Sequence, residues 1–282
     1  MSMAVETLDL PSCAQSDSNG IVKHIEEDGC VVIPNVLSRE KVNEMIKQID
    51  LLTHFEHDGG KDKSKPTIDH YKCVFNRSPY WLNFIDMAGI IEAIEEMMGK
   101  DCHIIGMSAW RTPPGAGNNG IHVDQLMNNY DEELLLSKKV HLPVFYSTLH
   151  FYLNDMDIDL CPTWVVPGSH FSGRGPSVSG NSGKASLGFV NGSEREWNGI
   201  KERPVLVNAG DAMLFRSEVW HSGSVNKTTN RTRYLLQVHY GRRGVAQRFP
   251  PYLEFKYNPE VLKAANERQL RLLGKHNIGA YG

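Results

Sequence analysis

No uninterrupted apolar run in this chain of 282 residues approaches the roughly 20 residues that a membrane-spanning helix needs. A surplus of either charge is also lacking. The 30 basic and 33 acidic side chains leave a formal net charge of -3, so there is no basic stripe for a nucleic-acid backbone. Cysteine is scarce. Cys13, Cys30, Cys73, Cys102 and Cys161 are scattered, odd in number and without a Cys-x-x-Cys pair, which leaves no disulfide framework to build on. Internal repeats and low-complexity tracts are absent, which excludes a solenoid or a linker-rich array. The opening Met-Ser-Met-Ala-Val-Glu has no basic stretch leading into an apolar core, and the closing Gly-Ala-Tyr-Gly is no peroxisomal address. The expectation is a cytoplasmic protein with reduced thiols. The Asn-x-Ser/Thr triplets at Asn76, Asn191, Asn226 and Asn230 are then chance matches.

What remains is a chain long enough to bury an ample core without staples. Residues 1–18 are polar and unpatterned and read as a loose arm. Ile21–Glu27 reads as a short helix stopped by Asp28-Gly29, and Cys30–Ile33 as a buried strand ended by Pro34. Ser38 begins a helix in which Val42, Met45, Ile46 and Ile49 recur at helical spacing. Ile90–Met98 is a further helix closed by Gly99. Residues 56–66 are charged, glycine-bearing and aperiodic; a solvated loop is the plainer reading and a lid over a site the sharper one.

From Cys102 the pattern changes. Cys102–Trp110, Leu142–Leu153, Trp164–Val166, Val205–Val207, Ala212–Phe215 and Tyr234–Tyr240 are short apolar runs separated by Gly, Pro, Asn and Asp, the pattern of a sandwich or barrel. Phe171–Asn198 is a Gly-, Ser- and Asn-rich excursion, and Asn258–Leu273 returns to helical spacing. Helices, then a β core, then a terminal helix predict one α+β domain, mainly β, over residues 1–282.

The chemistry centres on His122-Val-Asp124. Side chains two apart in a strand share a face, so His122 and Asp124 can reach one ion. A lone His-x-Asp is frequent by chance. Downstream, Gly210-Asp211 sets a turn, Ala212–Phe215 reads as a strand, and Trp220-His221-Ser222-Gly223 ends it, which makes His221 the third candidate. Two imidazoles and one carboxylate suit a non-haem Fe(II) and leave its opposite face open, while zinc on the same three ligands stays an alternative. Of the twelve histidines, His170 reads as structural, His150 and His239 as hydrogen-bonded core residues, and His54, His57 and His70 as solvent-facing. A dicarboxylate keto acid on such an ion needs a fixed cation for its distal carboxylate, and arginine's planar fork fits one. Arg233, directly before the strand-like Tyr234–Tyr240, is the better placed; Arg231 is held in reserve.

Together these segments resemble the phytanoyl-CoA dioxygenase-like branch of the Fe(II)/2-oxoglutarate-dependent oxygenases. The likeness rests on Glu27–Ser38, His122-Val-Asp124, Thr163–His170, Gly210–Phe215 with Trp220-His221, and the Arg233 segment. It implies a double-stranded β-helix (a cupin-like jelly roll) flanked by N-terminal helices and a C-terminal helix. It implies Fe(II) on His122, Asp124 and His221, with 2-oxoglutarate and O2 as co-substrates and Thr163 helping Arg233 to hold the keto acid. Two departures stand out. Leu160-Cys161-Pro162 replaces the usual Asn-Gly, and the interval from His221 to Arg233 is one residue longer than in many members. In halogenating relatives a small residue replaces the carboxylate, so Asp124 favours hydroxylation or another oxidation.

The substrate pocket is expected near Lys72, Phe75, Met107, Met127 and Tyr146, although such side chains serve equally well as core. The expected partner is a small, largely apolar metabolite, terpenoid or alkaloid in type and from secondary metabolism; a homodimer stays open. An acyl-CoA hydroxylase, an inert scaffold of the same fold, and a cupin-like metalloenzyme that uses no 2-oxoglutarate are the alternatives.

Overall fold

The structure, a computed structural model, describes residues 9–55, 58–59, 66–117, 120–127, 130–177, 188–249 and 254–277. Asp17 accepts a hydrogen bond from the Gly20 N–H and starts α1 (Ser18–Glu27), which buries Ile21 and Ile25. Gly29, at φ 77°, turns the chain into β1 (Cys30–Ile33). A Cβ there would lie 2.5 Å from the side chains of His170 and Val219, so the turn also needs the space. Ser38 caps α2 (Arg39–Asp50), whose Val42, Met45 and Ile49 face inward as their spacing predicts. The strand β2 (Asp69–Lys72) and the helix α3 (Ile90–Met98) complete the entry.

The β core follows. It comprises β3 (His103–Thr112), β4 (Ile121–Leu126), β5 (Tyr146–Tyr152), β6 (Trp164–Val165), β7 (Gly188–Gly192), β8 (Glu196–Trp197), β9 (Ile200–Lys201), β10 (Arg203–Pro204), β11 (Ala212–Arg216), β12 (His221–Ser222) and β13 (Arg233–Gly241), with a short α4 (Glu132–Leu136) between β4 and β5. The larger sheet has six strands in the order β1-β11-β5-β13-β3-β2, and the smaller has five in the order β10-β6-β12-β4-β7. On the outer face of the larger sheet, Met107, Leu149, Phe151, Leu236 and Val238 pack with Met45, Ile90 and Ile94 of the helices. On its inner face Leu235, Tyr152, Met213 and Phe215 meet Val165 and Val205. Each large apolar side chain so removed from water contributes roughly 1.5–3 kcal/mol. Two sheets closed face to face, with helices over one of them, make the expected double-stranded β-helix.

Several local expectations change. The arm is not loose where it is described. Pro11 accepts from the Val32 N–H, Cys13 donates to the Val32 carbonyl, and Ser12 bridges Val32 in parallel, so this stretch is a rung on the edge of β1; residues 1–8 lie outside the described residues. Val205–Val207 is irregular, and the paired residues are Arg203 and Pro204, against β6. The terminal helix is two helices, α5 (Pro259–Ala264) and α6 (Glu267–Leu272), because Asn266 and Gln269 form a capping box that restarts the chain. Most of the charged loop 56–66 lies outside the described residues. Within it, Asp58 is buried and ion-paired to Arg77 at 2.7 Å, and Gly59 bridges His70.

Candidate metal centre

Alternation along β4 places the first two candidate ligands. Ile121, Val123 and Leu126 join Val166, Trp197 and Trp220 in a small core, so His122 and Asp124 turn to the interior between the sheets. His221 arrives differently from the expectation. The strand containing Ala212–Phe215 belongs to the larger sheet, the chain crosses over at Ser217–Trp220, and His221 opens a new strand in the smaller sheet. There it is paired directly opposite His122. This crossing brings together residues that are far apart in sequence.

The candidate ligand atoms of His122, Asp124 and His221 all lie within 4.8 Å of one another. Asp124 Oδ1 is 3.7 Å from His122 Nε2 and 3.5 Å from His221 Nε2. His122 Nδ1 is 2.7 Å from the Gly120 carbonyl, and His221 Nδ1 is 2.9 Å from the Val219 carbonyl. A carbonyl only accepts, so both rings carry a proton on Nδ1 and present the Nε2 lone pair to the same point. Burial, reinforced by His221, lowers His122 to about 4. Burial opposes charge on Asp124 as well, but the facing His221, His239 and His122 outweigh it and hold the carboxyl well below its usual range. Burial likewise opposes charge on His221, and Asp124 overcomes it, so its pKa is raised.

A hydrogen-bond chain orients the carboxylate. Thr148 Oγ1 donates to Asp124 Oδ2 at 3.2 Å, which uses its one proton. Its contact of 3.0 Å with His239 Nδ1 is then one in which His239 donates. Tyr146 supports the same ring, its hydroxyl 3.0 Å from His239 Nδ1. Groups behind a metal ligand typically hold about 10- to 100-fold of metal affinity. Thr148→Val keeps the shape and loses the proton, so its Fe(II) affinity, measured by anaerobic titration, should fall within that range. Unchanged affinity would show that Asp124 needs no such support.

The centre opens into a cavity of about 500 Å³. His70, Trp110, Gln237 and His239 are among its walls, together with His150, Thr163 and Arg233. His70 therefore does not face solvent as expected: it stacks on Trp110 with ring centroids 3.6 Å apart. Burial, with Lys72 and His239 nearby, pushes His70 down to about 3. His150 and His239 are buried strand histidines with hydrogen bonds, as read, but they also line the cavity. His170 is buried away from the centre, with Nε2 3.1 Å from the Glu26 carbonyl.

Arg233 is 9% exposed and donates from Nη2 to Thr163 Oγ1 at 3.1 Å. It makes no ion pair among the described residues, and its Nε has no partner. Arg231 is instead at the surface, paired with Asp157 at 2.6 Å. The residues expected at the substrate pocket need correcting. Phe75 and Met107 are in the outer core, because Met107 has the opposite strand parity to Ser108 and Trp110. Tyr146 and Met127 pack with Ile105 and Val245, and Tyr146 meets the centre from behind, through His239 and Thr148. Lys72 is half-buried at the far end of β2 and does not line the cavity. Sequence reasoning missed Trp110 and Gln237, which lie in β3 and β13, strands covered on both faces.

A jelly roll that turns two histidines and an aspartate onto one side of an internal cavity is the frame of a non-haem metalloenzyme. Residues 25–234 match the family model of phytanoyl-CoA dioxygenase (PhyH), and the chain belongs to that family. It is similar to the dioxygenase af480 of Aspergillus fumigatus, with 21% identity over 223 residues that cover 77% of this chain and 64% of that protein. The chain thus spans under two thirds of that relative's length. Among solved structures it is similar to the non-heme alpha ketoglutarate dependent epimerase SnoN from nogalamycin biosynthesis (TM-score 0.60, 16% identity, 84% of this chain and 88% of that one). It is also similar to HygX from Streptomyces hygroscopicus, solved with nickel and 2-oxoglutarate (TM-score 0.58, 15% identity, 80% and 88%). At these identities the likeness establishes the fold.

Proposed function

We propose that this chain is an Fe(II)- and 2-oxoglutarate-dependent dioxygenase that oxidises a C–H bond of a small natural-product-type metabolite. The observation that carries the reading is one cavity holding both a three-ligand face and a buried, unpaired arginine. His122, Asp124 and His221 would hold the iron by Nε2, a carboxylate oxygen and Nε2. Arg233 and Thr163 would hold the distal carboxylate of 2-oxoglutarate, for which the lone guanidinium is a ready partner. When bound, the iron with the keto acid and dioxygen supplies an oxidant for an unactivated C–H bond. The chain's own residues do the rest: the Thr148–His239 relay fixes the carboxylate, and the strands hold the three ligand side chains on one wall of the cavity.

The walls suit a compact skeleton carrying a few hydrogen-bonding groups. Ile68, Trp110 and Leu235 offer apolar surface, while His70, Ser108 and Gln237 offer polar atoms. A largely apolar metabolite with some oxygen or nitrogen functions fits this mixture. A natural-product setting is supported by the solved relatives, since SnoN comes from nogalamycin biosynthesis and HygX was solved with hygromycin B. Hydroxylation is the default outcome, with desaturation or rearrangement open to a pocket that holds the substrate away from hydroxyl transfer.

The test is direct. Anaerobic addition of Fe(II) and 2-oxoglutarate should give a weak visible charge-transfer band. Aerobic incubation with candidate metabolites should then release succinate together with a product heavier by one oxygen or lighter by two hydrogens. A protein that gives neither band nor succinate is not such an oxygenase.

A further inference from the structure

The stretch of backbone that carries the chain from one sheet to the other holds two of the three candidate ligands. The Ser217 carbonyl accepts from the Asp124 N–H at 3.0 Å, and the Val219 carbonyl lies 2.9 Å from His221 Nδ1. The His122 ring takes its Nδ1 partner from elsewhere, the Gly120 carbonyl ahead of β4. The crossover is itself a tight turn, closed by the Val219 N–H donating to the Arg216 carbonyl at 3.1 Å. A shift of this turn would act directly on the His221 ring and not on the His122 ring.

A buried pair of opposite charges spans the turn. Arg216 is 1% exposed and Glu218 is 8% exposed. In β11, Arg216 has the parity of Ala212 and Leu214, which belong to the outer core, so its side chain leaves the sheet away from the metal cavity. Its Nε donates to Glu218 Oε2 at 3.3 Å, and its Nη2 donates to the Leu142 and Pro143 carbonyls at 3.2 and 3.3 Å. Ser217 Oγ donates to the same Glu218 oxygen at 3.2 Å. The pair thus ties Arg216, Ser217 and Glu218 to the segment that leads into β5.

Taking two charges out of water is costly, and apolar side chains of similar volume usually serve stability as well or better. What a charged fork adds is direction, because its planar donors meet two fixed carbonyls and a carboxylate. We infer that Arg216 and Glu218 are positioning residues for His221: the pair fixes the turn, and the turn holds the Val219 carbonyl where it orients the imidazole. The inference rests on the metal reading above and extends it past the ligands and their immediate partners. The direction of the His221 Nε2 lone pair is then set by two side chains that do not line the cavity.

Zinc(II) added to the metal-free protein measures the site without turnover, by competition with a chromophoric chelator. The titration is run well below the melting temperature. There the folded population is close to complete, so a variant that has lost only global stability keeps its affinity. Glu218→Gln keeps the shape and removes the charge, while Arg216→Met removes the fork. Each should bind zinc about tenfold more weakly, the lower end of what groups behind a metal ligand hold. The double variant should lose no more than the weaker of the two singles, because the pair acts as one unit.

In the zinc-loaded proteins, the Nδ1–H resonances of labelled histidine separate a local from a general effect. The His221 signal should shift and exchange faster with water in both variants. The His122 signal, bonded to Gly120, should keep its wild-type position and rate. If Arg216→Met does not fold, Glu218→Gln carries the test. Wild-type protein that binds no zinc sinks the metal reading and this one with it. Folded variants with wild-type affinity, or an equal disturbance of His122 and His221, overturn the positioning role alone.

Discussion

Asp124→Ala should lose both the charge-transfer band and succinate release while keeping its fold. Without the carboxylate, two imidazoles remain on the iron face. Losing a group behind a ligand costs about 10- to 100-fold in metal affinity, so losing the ligand itself should cost at least about 100-fold. The structural penalty is smaller. The Asp124 backbone N–H donates to the Ser217 carbonyl at 3.0 Å, and alanine preserves that bond. The Thr148 hydroxyl loses its acceptor, worth about 1 kcal/mol. Thermal unfolding of the metal-free variant should therefore stay within a few degrees of wild type. A variant that binds Fe(II) normally and still makes succinate would remove Asp124 from the ligand set. One that is simply unfolded would show it in the melting curve rather than in the band.

The separation of those outcomes depends on how the centre is built, and the parts of that construction were unequally legible. His122-Val-Asp124 could be read because a short strand repeats every second residue and its other face is plainly apolar. His221 could be proposed from its context, but its route could not: the crossing from β11 to β12 is a tertiary event that no local pattern announces. The cavity walls were harder for a definite reason. Strands β3, β5 and β13 are covered on both faces, by helices outside and by the second sheet inside. Runs buried on both sides give no alternation from which to read phase. Met107 and Ser108 are both buried, yet only Ser108 lines the cavity. His70 was misplaced because it borders a charged loop, whereas β2 pairs with β3 and lays its ring on Trp110. The helices were read well by contrast, since Ser38 and Gly99 mark their ends chemically.

Arg233 is the residue whose replacement should separate binding from stability most sharply. A buried guanidinium that makes no ion pair among the described residues, with Thr163, Cys161 and the Tyr152 ring beside it, is a costly arrangement without its ligand. Arg233→Met removes that uncompensated charge and retains most of the apolar volume, so the ligand-free protein should melt no lower than wild type and is expected to melt higher. The same change takes away the partner of the distal carboxylate. Losing one side of a buried charge pair costs about 3 kcal/mol or more, so 2-oxoglutarate affinity should fall by at least about 100-fold. Wild-type protein should gain stability when 2-oxoglutarate is added in the presence of metal, by mass action. The variant should show no such gain at the same concentration. Arg231→Ala supplies the contrast, because its exposed pair with Asp157 is worth about 0–1 kcal/mol and it lies outside the cavity walls. Its keto-acid affinity should equal that of wild type. A weakened Arg231→Ala beside an unaffected Arg233→Met would reverse the assignment. Two arginines separated by a single threonine would then have exchanged the roles that their burial gives them.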